Sequence, residues 1–394
     1  MNRFYFDHNA TTPMSLQVLE TMVEVQRSGF GNPSSAHAEG QAARRIIEDA
    51  RRNMASKIGA SATELVFTSG GTEANNLAIL GLVRGTLKPH VITTAIEHAA
   101  VLEPCRRLER EGVEVSYLPV DASGLVSISD VQRSLRPETV LVSVMHANNE
   151  IGTLQRVGEI AALIRKLRAA GQQIFLHSDG VQALGKLPVN VNELGVDLYS
   201  MSAHKIHGPK GTGALFVRKG VPLHSIQFGG KHERERRPGT ENVAGIAAFA
   251  KALELSSADP AANRMQELRN QFEEHILNNL PAAEIKGDRN QRLPNTSNIY
   301  FDGIDGESLV IALDMRGFAV SSGAACSSGS IEPSHVLLAM GLPRDQARRC
   351  VRFSWGRENT AEQTDALSEA VIASVRQLRA SRAGRTASKE YARA

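Results

Sequence analysis

The stretch richest in chemistry is "VDLYSMSAHKIHGPKGTGALF", where Lys205 follows an apolar run and precedes a glycine-rich one. A lysine that closes an apolar strand loses solvation, drops its pKa and can serve as amine nucleophile and base. Most lysines are solvated surface charges; the flanking residues set this one apart. Ser202 and His204 beside it can reach a phosphate. In "FLHSDGVQALGK", Asp179 ends another apolar run and Gln182 follows three residues on. A carboxylate there can pair with a protonated ring nitrogen, and Gln182 can hydrogen-bond a phenolic oxygen. Asp179 can equally cap the turn after it.

"FTSGGTEANNLAI" offers Gly70 and Gly71 for close backbone approach and a hydroxyl on Thr72. At the first turn of a helix these make a phosphate cup or an ordinary strand-to-helix turn. His98 closes "HVITTAIEH" and can stack on an aromatic cofactor and relay protons, or be a structural histidine. Asn148 and Asn149 in "MHANNEIG" end a further run, as ligands or as turn formers. Each feature alone is common. A phosphate cup, a ring-nitrogen carboxylate, a stacking histidine and a strand-end lysine together suit pyridoxal phosphate, an electron sink that a protein orients and tunes. The chain has neither G-x-x-x-x-G-K-[ST] nor G-x-G-x-x-G, so nucleotide-triphosphate and Rossmann readings lose their main support.

The positioning elements are legible in outline. Seven strand-like runs lie between about 64 and 220, several of them apolar throughout, with helical stretches such as "TEANNLAILGLVRG" and "VGEIAALIRKLRAAG" between most of them. That alternation predicts an α/β domain built on a mainly parallel sheet covered on both faces, with ligands at the carboxyl ends of its strands. After about 256 the texture changes to long amphipathic helices and isolated strands, a smaller α+β domain. The division expected is 15–258 for the large cofactor-binding domain, and 1–14 with 259–394 for the small one.

Composition narrows the class. A hydrophobic content of 42% fits a soluble globular chain, and no apolar stretch approaches a membrane span. "MNRFYFDHNATTP" has no apolar signal core. Cys105, Cys326 and Cys350 include no C-x-x-C pair, which argues against disulfides or a cysteine-rich zinc site and for a reducing cytoplasm. The net charge of +3 is uneven: 376–394 hold six basic residues and one acid, so +5, leaving 3 − 5 = −2 for the rest. The body is not a nucleic-acid surface; the tail reads as a solvated terminus.

The motifs "YFDHNATTP", "NPSSAHAEGQAAR", "FTSGGTEANNLAI", "EHAAVLEP", "MHANNEIG", "HSDGVQALGK", "SAHKIHGPKGTGALF", "RRPGTENVAGI" and "VSSGAACSSGSIEPSHVLLAMGL" span nearly the whole chain. Through them the sequence resembles the NifS/IscS-type cysteine desulfurases of the class V aminotransferase superfamily. The resemblance implies pyridoxal-phosphate fold type I and a seven-stranded sheet. It implies that Lys205 bonds the cofactor and His98 stacks on it. Asp179 would face the ring nitrogen, and Gln182 and Asn149 the phenolic oxygen. Gly71, Thr72, Ser202 and His204 would hold the phosphate, and Thr240 would reach the phosphate of a neighbouring subunit, which implies a homodimer. Arg352, or else Arg357, would pair with the substrate carboxylate.

Cys326 sits in "VSSGAACSSGS", on a segment of small residues expected to run from about 321 to 332. The resemblance makes it the thiolate that takes sulfur from L-cysteine, leaving L-alanine and a persulfide. The sulfur would go to an acceptor or an iron–sulfur scaffold protein; no resident metal is expected, although Cys326 could transiently ligate a cluster. The competing readings are a selenocysteine lyase or other class V enzyme, and a cofactor-free sulfur carrier. His207 stands where this family commonly has Tyr, Ala324 where Ser is usual, and the tail does not resemble the family's scaffold-docking segment. Cys105 and Cys350 read as buried structural thiols.

Overall fold

The computed structural model describes residues 3–258, 261–322 and 332–391. Cys326 and the rest of 323–331 lie outside the described residues.

A short strand, β1 (Phe4–Tyr5), precedes the seven of the main sheet. These are β2 (Leu65–Thr68), β3 (His90–Thr94), β4 (Glu114–Leu118), β5 (Thr139–Ser143), β6 (Phe175–Asp179), β7 (Leu198–Ser202) and β8 (Gly213–Val217). Each falls within one of the seven apolar runs. Their order is β2-β8-β7-β6-β5-β3-β4, and only β8 runs antiparallel to its neighbours. Since β2 and β7 both oppose β8, they point the same way as β3, β5 and β6. With β4, parallel to β3, six carboxyl ends therefore open on one edge, where α/β folds bind their ligands.

Every residue of β2, β3, β7 and β8 is buried. The pleat sends alternate side chains to opposite faces. Leu65 and Phe67 enter a core shared with Ile47, Met54, Ile160, Ile246 and Phe249. Val66 enters a second core on the other face, with Leu77, Leu82, Val101 and Leu108. From Leu77 onward the helix Gly71–Val83 is buried on nearly all sides, which suits its apolar sequence there. Gly81 in it has no room for a side chain: an added Cβ would lie 2.4 Å from the His224 carbonyl oxygen.

Beyond the main sheet come β9 (Ala283–Lys286), β10 (Thr296–Phe301), β11 (Phe318–Ala319) and β12 (Cys350–Ser354). The antiparallel sheet β12-β10-β9 packs under the helices Ala261–Asn279 and Ala361–Tyr391, around Phe272, Phe301, Phe353, Trp355 and Val371. β1 pairs in parallel with β11, and Phe6 enters this same core. From there residues 7–13 cross to the main sheet. Asp7 bridges Ser354, and Thr12 N–H donates to the His204 carbonyl at 2.9 Å. The Thr12 hydroxyl accepts from His207 N–H at 2.7 Å.

Among the described residues two ion pairs are buried on both sides, Arg292 with Glu273 and Arg51 with Glu233. The Arg51 guanidinium makes two hydrogen bonds of 2.6 and 2.8 Å to the Glu233 carboxylate and lies 4.6 Å above the Phe67 ring. Glu233 also accepts Phe67 N–H at 2.8 Å. These contacts hold Glu233, Arg234 and Glu235 with φ of 47°, 59° and 64°, a region that side-chain-bearing residues rarely adopt. Glu233→Gln is expected to lower unfolding free energy by about 3–5 kcal/mol in denaturant titration, because buried Arg51 would keep only the half-exposed Glu48, 3.2 Å from its Nε, as counter-charge. A loss under about 1 kcal/mol is what a solvent-screened pair would give, and would contradict this account.

Candidate active site

Lys205 sits three residues past the end of β7, in the short helical turn Ala203–Lys205. Its Nζ donates to the carbonyls of Asn9 at 2.5 Å and Ala10 at 2.7 Å. Burial, and then the nearby Arg352 charge, lower its pKa to about 8, against the opposing pull of Asp7 and Asp179. A neutral amine has two N–H bonds. The two carbonyls take one each and leave the lone pair free for attack.

Asp179 ends β6 and is buried. One carboxylate oxygen accepts Val181 N–H at 3.0 Å, so it does cap the following turn. The other accepts Asn75 Nδ2 at 2.7 Å. The turn cap thus takes one oxygen and the Asn75 amide the other.

His98 is not at the end of its strand. β3 stops at Thr94, and His98 is the N-cap of the helix Ala99–Arg110, its Nδ1 accepting Ala100 N–H at 3.1 Å. That bond places the proton of the neutral ring on Nε2. Its pKa is lowered, chiefly by desolvation and further by Lys205 and His335, with Asp179 opposing.

The phosphate cup stands at the start of the helix Gly71–Val83. The first helical bond runs from Ala74 N–H to the Gly70 carbonyl, leaving the earlier N–H groups outside the ladder. A Cβ on Gly71 would lie 2.6 Å from Val181 and 3.7 Å from Ser202 Cβ, so this glycine is what lets the cup close on its neighbours. The Ser202 hydroxyl is buried without a partner. Thr72 is exposed on the first turn. His204 Nδ1 meets the Thr11 hydroxyl at 3.1 Å, and burial plus Lys205 lower its pKa to about 4. Buried polar atoms are normally satisfied, so the orphaned Ser202 oxygen beside free helical N–H groups is a donor set fit for a phosphate.

Arg352 lies on β12 and reaches back across the site. It donates to Asp7 at 2.7 Å and to the Asn149 carbonyl at 3.0 Å, and its Nε is buried without a partner. Gln182 Nε2 donates to the Asn9 carbonyl at 2.9 Å. Arg357 donates to the Ser256 hydroxyl at 3.0 Å and lines, with Lys186 and Lys205, a cavity of about 30 Å³. Lys205, Asp179, Gln182, Asn149, Arg352, Ser202, His204 and His98 thus gather on one edge. Thr240 stands apart, exposed on a loop that Arg237 ties to Glu73 of the cup helix at 2.9 Å.

Several members of this cluster gave no separate signal in the sequence. Asn9 and Ala10 contribute backbone carbonyls, which any residue type could supply. Asn75 and Lys186 lay within quoted motifs as residues without an evident task. Glu97, fully buried, takes Met145 N–H at 2.8 Å and the Thr94 hydroxyl at 2.9 Å, and burial raises its pKa to about 8.

The aminotransferase class-V family pattern matches residues 4–367. The chain belongs to that family. It is 46% identical over 362 residues to the cysteine desulfurase IscS of Dictyoglomus turgidum, covering 91% of each chain. It is 44% identical over 379 residues to the cysteine desulfurase IscS of Methanosarcina thermophila, covering 95% of this chain and 92% of that one. Among solved structures, a NifS-like protein superposes with a TM-score of 0.88 at 38% identity, over 94% of this chain and 98% of that one. SspA in complex with cysteine gives 0.80 at 36%, over 90% and 99%. The mixed sheet is that of pyridoxal-phosphate fold type I, as the sequence led one to expect.

The Lys205 amine makes a direct prediction. Reaction of an aromatic aldehyde with the apo-protein, trapped with borohydride and mapped by peptide mass, should be fastest at Lys205. Its rate should rise about tenfold per pH unit and level off above about pH 8, as the neutral amine accumulates. A plateau only above pH 10, the range of a solvated lysine, would contradict the depressed pKa.

Proposed function

We propose that this protein is a pyridoxal-phosphate-dependent cysteine desulfurase that turns L-cysteine into L-alanine and carries the sulfur on Cys326 as a persulfide. One observation carries the reading. Ser321, five residues before Cys326, exchanges both backbone hydrogen bonds with Arg352, at 2.7 and 3.2 Å. The chain bearing the thiol therefore departs from the residue assigned to the substrate carboxylate. Five residues reach at most about 18 Å when extended. On the far side of that segment, Ser334 bonds Glu150 and His335 bonds the Glu97 carbonyl, both beside the same edge.

Pyridoxal phosphate, when bound, supplies the sink for charge left at the substrate Cα. Ser202, Gly71, Thr72 and His204 would hold its phosphate. Asp179 would hold the ring nitrogen protonated, Gln182 and Asn149 would face the phenolic oxygen, and His98 would cover the ring. The orphaned Ser202 hydroxyl supports this choice. Arg352 orients the substrate by its carboxylate, with Nε as the donor still to be satisfied. Lys205 would hold the cofactor through its amine and, as a neutral amine, would take the substrate Cα proton. The Cys326 thiolate attacks the substrate sulfur. A sulfur–sulfur bond forms, the substrate carbon–sulfur bond breaks, and its electron pair stays with the carbon fragment that leaves as alanine.

Residues 15–258 would form the cofactor domain, with 1–14 and 259–394 carrying the thiol. Thr240, exposed and outside the cluster, fits a role at a second copy's phosphate site, hence a homodimer. The sulfur would pass to an acceptor or an iron–sulfur scaffold protein in a reducing cytoplasm, a setting that suits the free, buried Cys105 and Cys350. No helix among the described residues is long and apolar enough to cross a membrane.

Cys326→Ala is expected to keep the bound cofactor's visible band yet lose sulfide and alanine production from L-cysteine; turnover at the wild-type rate would overturn the assignment. Lys205→Ala should lose the band of the lysine-bound cofactor. For Arg352→Ala, steady-state kinetics should show KM for L-cysteine up by about tenfold to a hundredfold, the scale of a lost charge-assisted contact. An unchanged KM would move that role to Arg357.

A further inference from the structure

Lys186 is buried among the polar groups at the back of the site and has no carboxylate on it among the described residues. Its Nζ donates to the Asn9 side-chain oxygen at 2.9 Å and to the Gln182 side-chain oxygen at 2.7 Å. Burying an amine without a counter-charge is costly, and desolvation, with Lys205 adding to it, holds its pKa well below the ordinary lysine value. An apolar residue of similar length would avoid that cost, so the two bonds need a purpose.

Both bonds fix the polarity of an amide. With its oxygen held by Lys186, Gln182 can present only its Nε2 to the front of the site. One of the two N–H bonds there goes to the Asn9 carbonyl at 2.9 Å, and the other is left for a ligand that accepts. The same Asn9 carbonyl accepts Lys205 Nζ, and the Asn9 side-chain oxygen is held by Lys186 and by Asn295 Nδ2 at 3.1 Å. Lys186 thus touches neither the reacting amine nor the ligand, but grips the two residues that do.

We propose that Lys186 is a positioning residue that locks the Gln182 amide as a donor toward the ligand. The proposal rests on the cofactor reading given above, in which Gln182 faces a phenolic oxygen. A site set up this way selects a ligand with a hydrogen-bond acceptor at that position, and a phenolate more strongly than a neutral phenol.

The test is a double-mutant cycle on the holoenzyme with Lys186→Met and Gln182→Ala. Lys186→Met alone should keep the cofactor, shift the maximum of its visible band and lower kcat by roughly tenfold to a hundredfold, the range of one hydrogen bond to a charged group. KM for L-cysteine should hold, since Arg352, Asp7 and Asn149 are untouched. In the Gln182→Ala background the same change should cost kcat less than threefold, because its effect runs through that amide. Lys186→Gln, which keeps a donor, should restore part of the band position and of kcat, and replaces Lys186→Met in the cycle if that variant does not fold. Losses that multiply, or a Met variant with wild-type band and kcat, would overturn the role of Lys186. Absence of a visible band in the wild-type protein given pyridoxal phosphate would instead overturn the reading of the site.

Discussion

The site depends on one residue near the N-terminus that no catalytic scheme would single out. The Asn9 carbonyl accepts Lys205 and Gln182. Its side-chain oxygen accepts Lys186 and Asn295, and its Nδ2 donates to the Asn149 carbonyl at 3.1 Å and to the Thr296 hydroxyl at 2.8 Å. Each of these groups is taken from water by folding, and each would be costly if left unpaired. Asn9 satisfies them together, and so fixes the amine, the amides and the strand edge relative to one another. The depressed pKa of Lys205 follows from the same enclosure, since carbonyls can hold an amine without stabilising its charge as a carboxylate would.

Around that hub the fold supplies direction. Reversal of β8 alone leaves the other six strands opening on one edge, so residues far apart in sequence converge without long loops. The segment 7–13 then crosses from the core of the three-stranded sheet to the main sheet, binding Ser354 on one side and His204 and His207 on the other. His207 holds φ of 64° with its Nδ1 on the Pro13 carbonyl at 2.9 Å. An imidazole makes that bond with a ring N–H, which gives this position a local task in the crossing segment.

Much of this was legible in the residues. Strand-like runs located all seven main strands, and the fully buried ones, β2, β3, β7 and β8, lack the alternation of a half-exposed strand because both their faces are covered. The strand-end chemistry of Asp179, Ser202 and Lys205 was legible for the same reason: a polar residue after an apolar run must face the edge. What escaped has physical causes too. The work of Asn9 and Ala10 is done partly by backbone carbonyls, which leave no mark in side-chain identity. β9 is four residues long and only partly buried, too short for a periodic signal. His98 sits beyond its strand because a turn and a helix cap intervene, and no apolar pattern marks such a turn. Gln182 and Lys186 lie four apart on one turn of chain, a spacing that also serves plain surface pairs.

The central claim is that sulfur leaves L-cysteine by transfer to Cys326. A single-turnover experiment with excess holoenzyme and L-cysteine tests it most directly, with alanine quantified and the Cys326 peptide weighed without reduction. The account predicts that each alanine formed is matched by one extra sulfur atom on Cys326, and by none on Cys105 or Cys350. Alanine released without sulfur on Cys326 would contradict it.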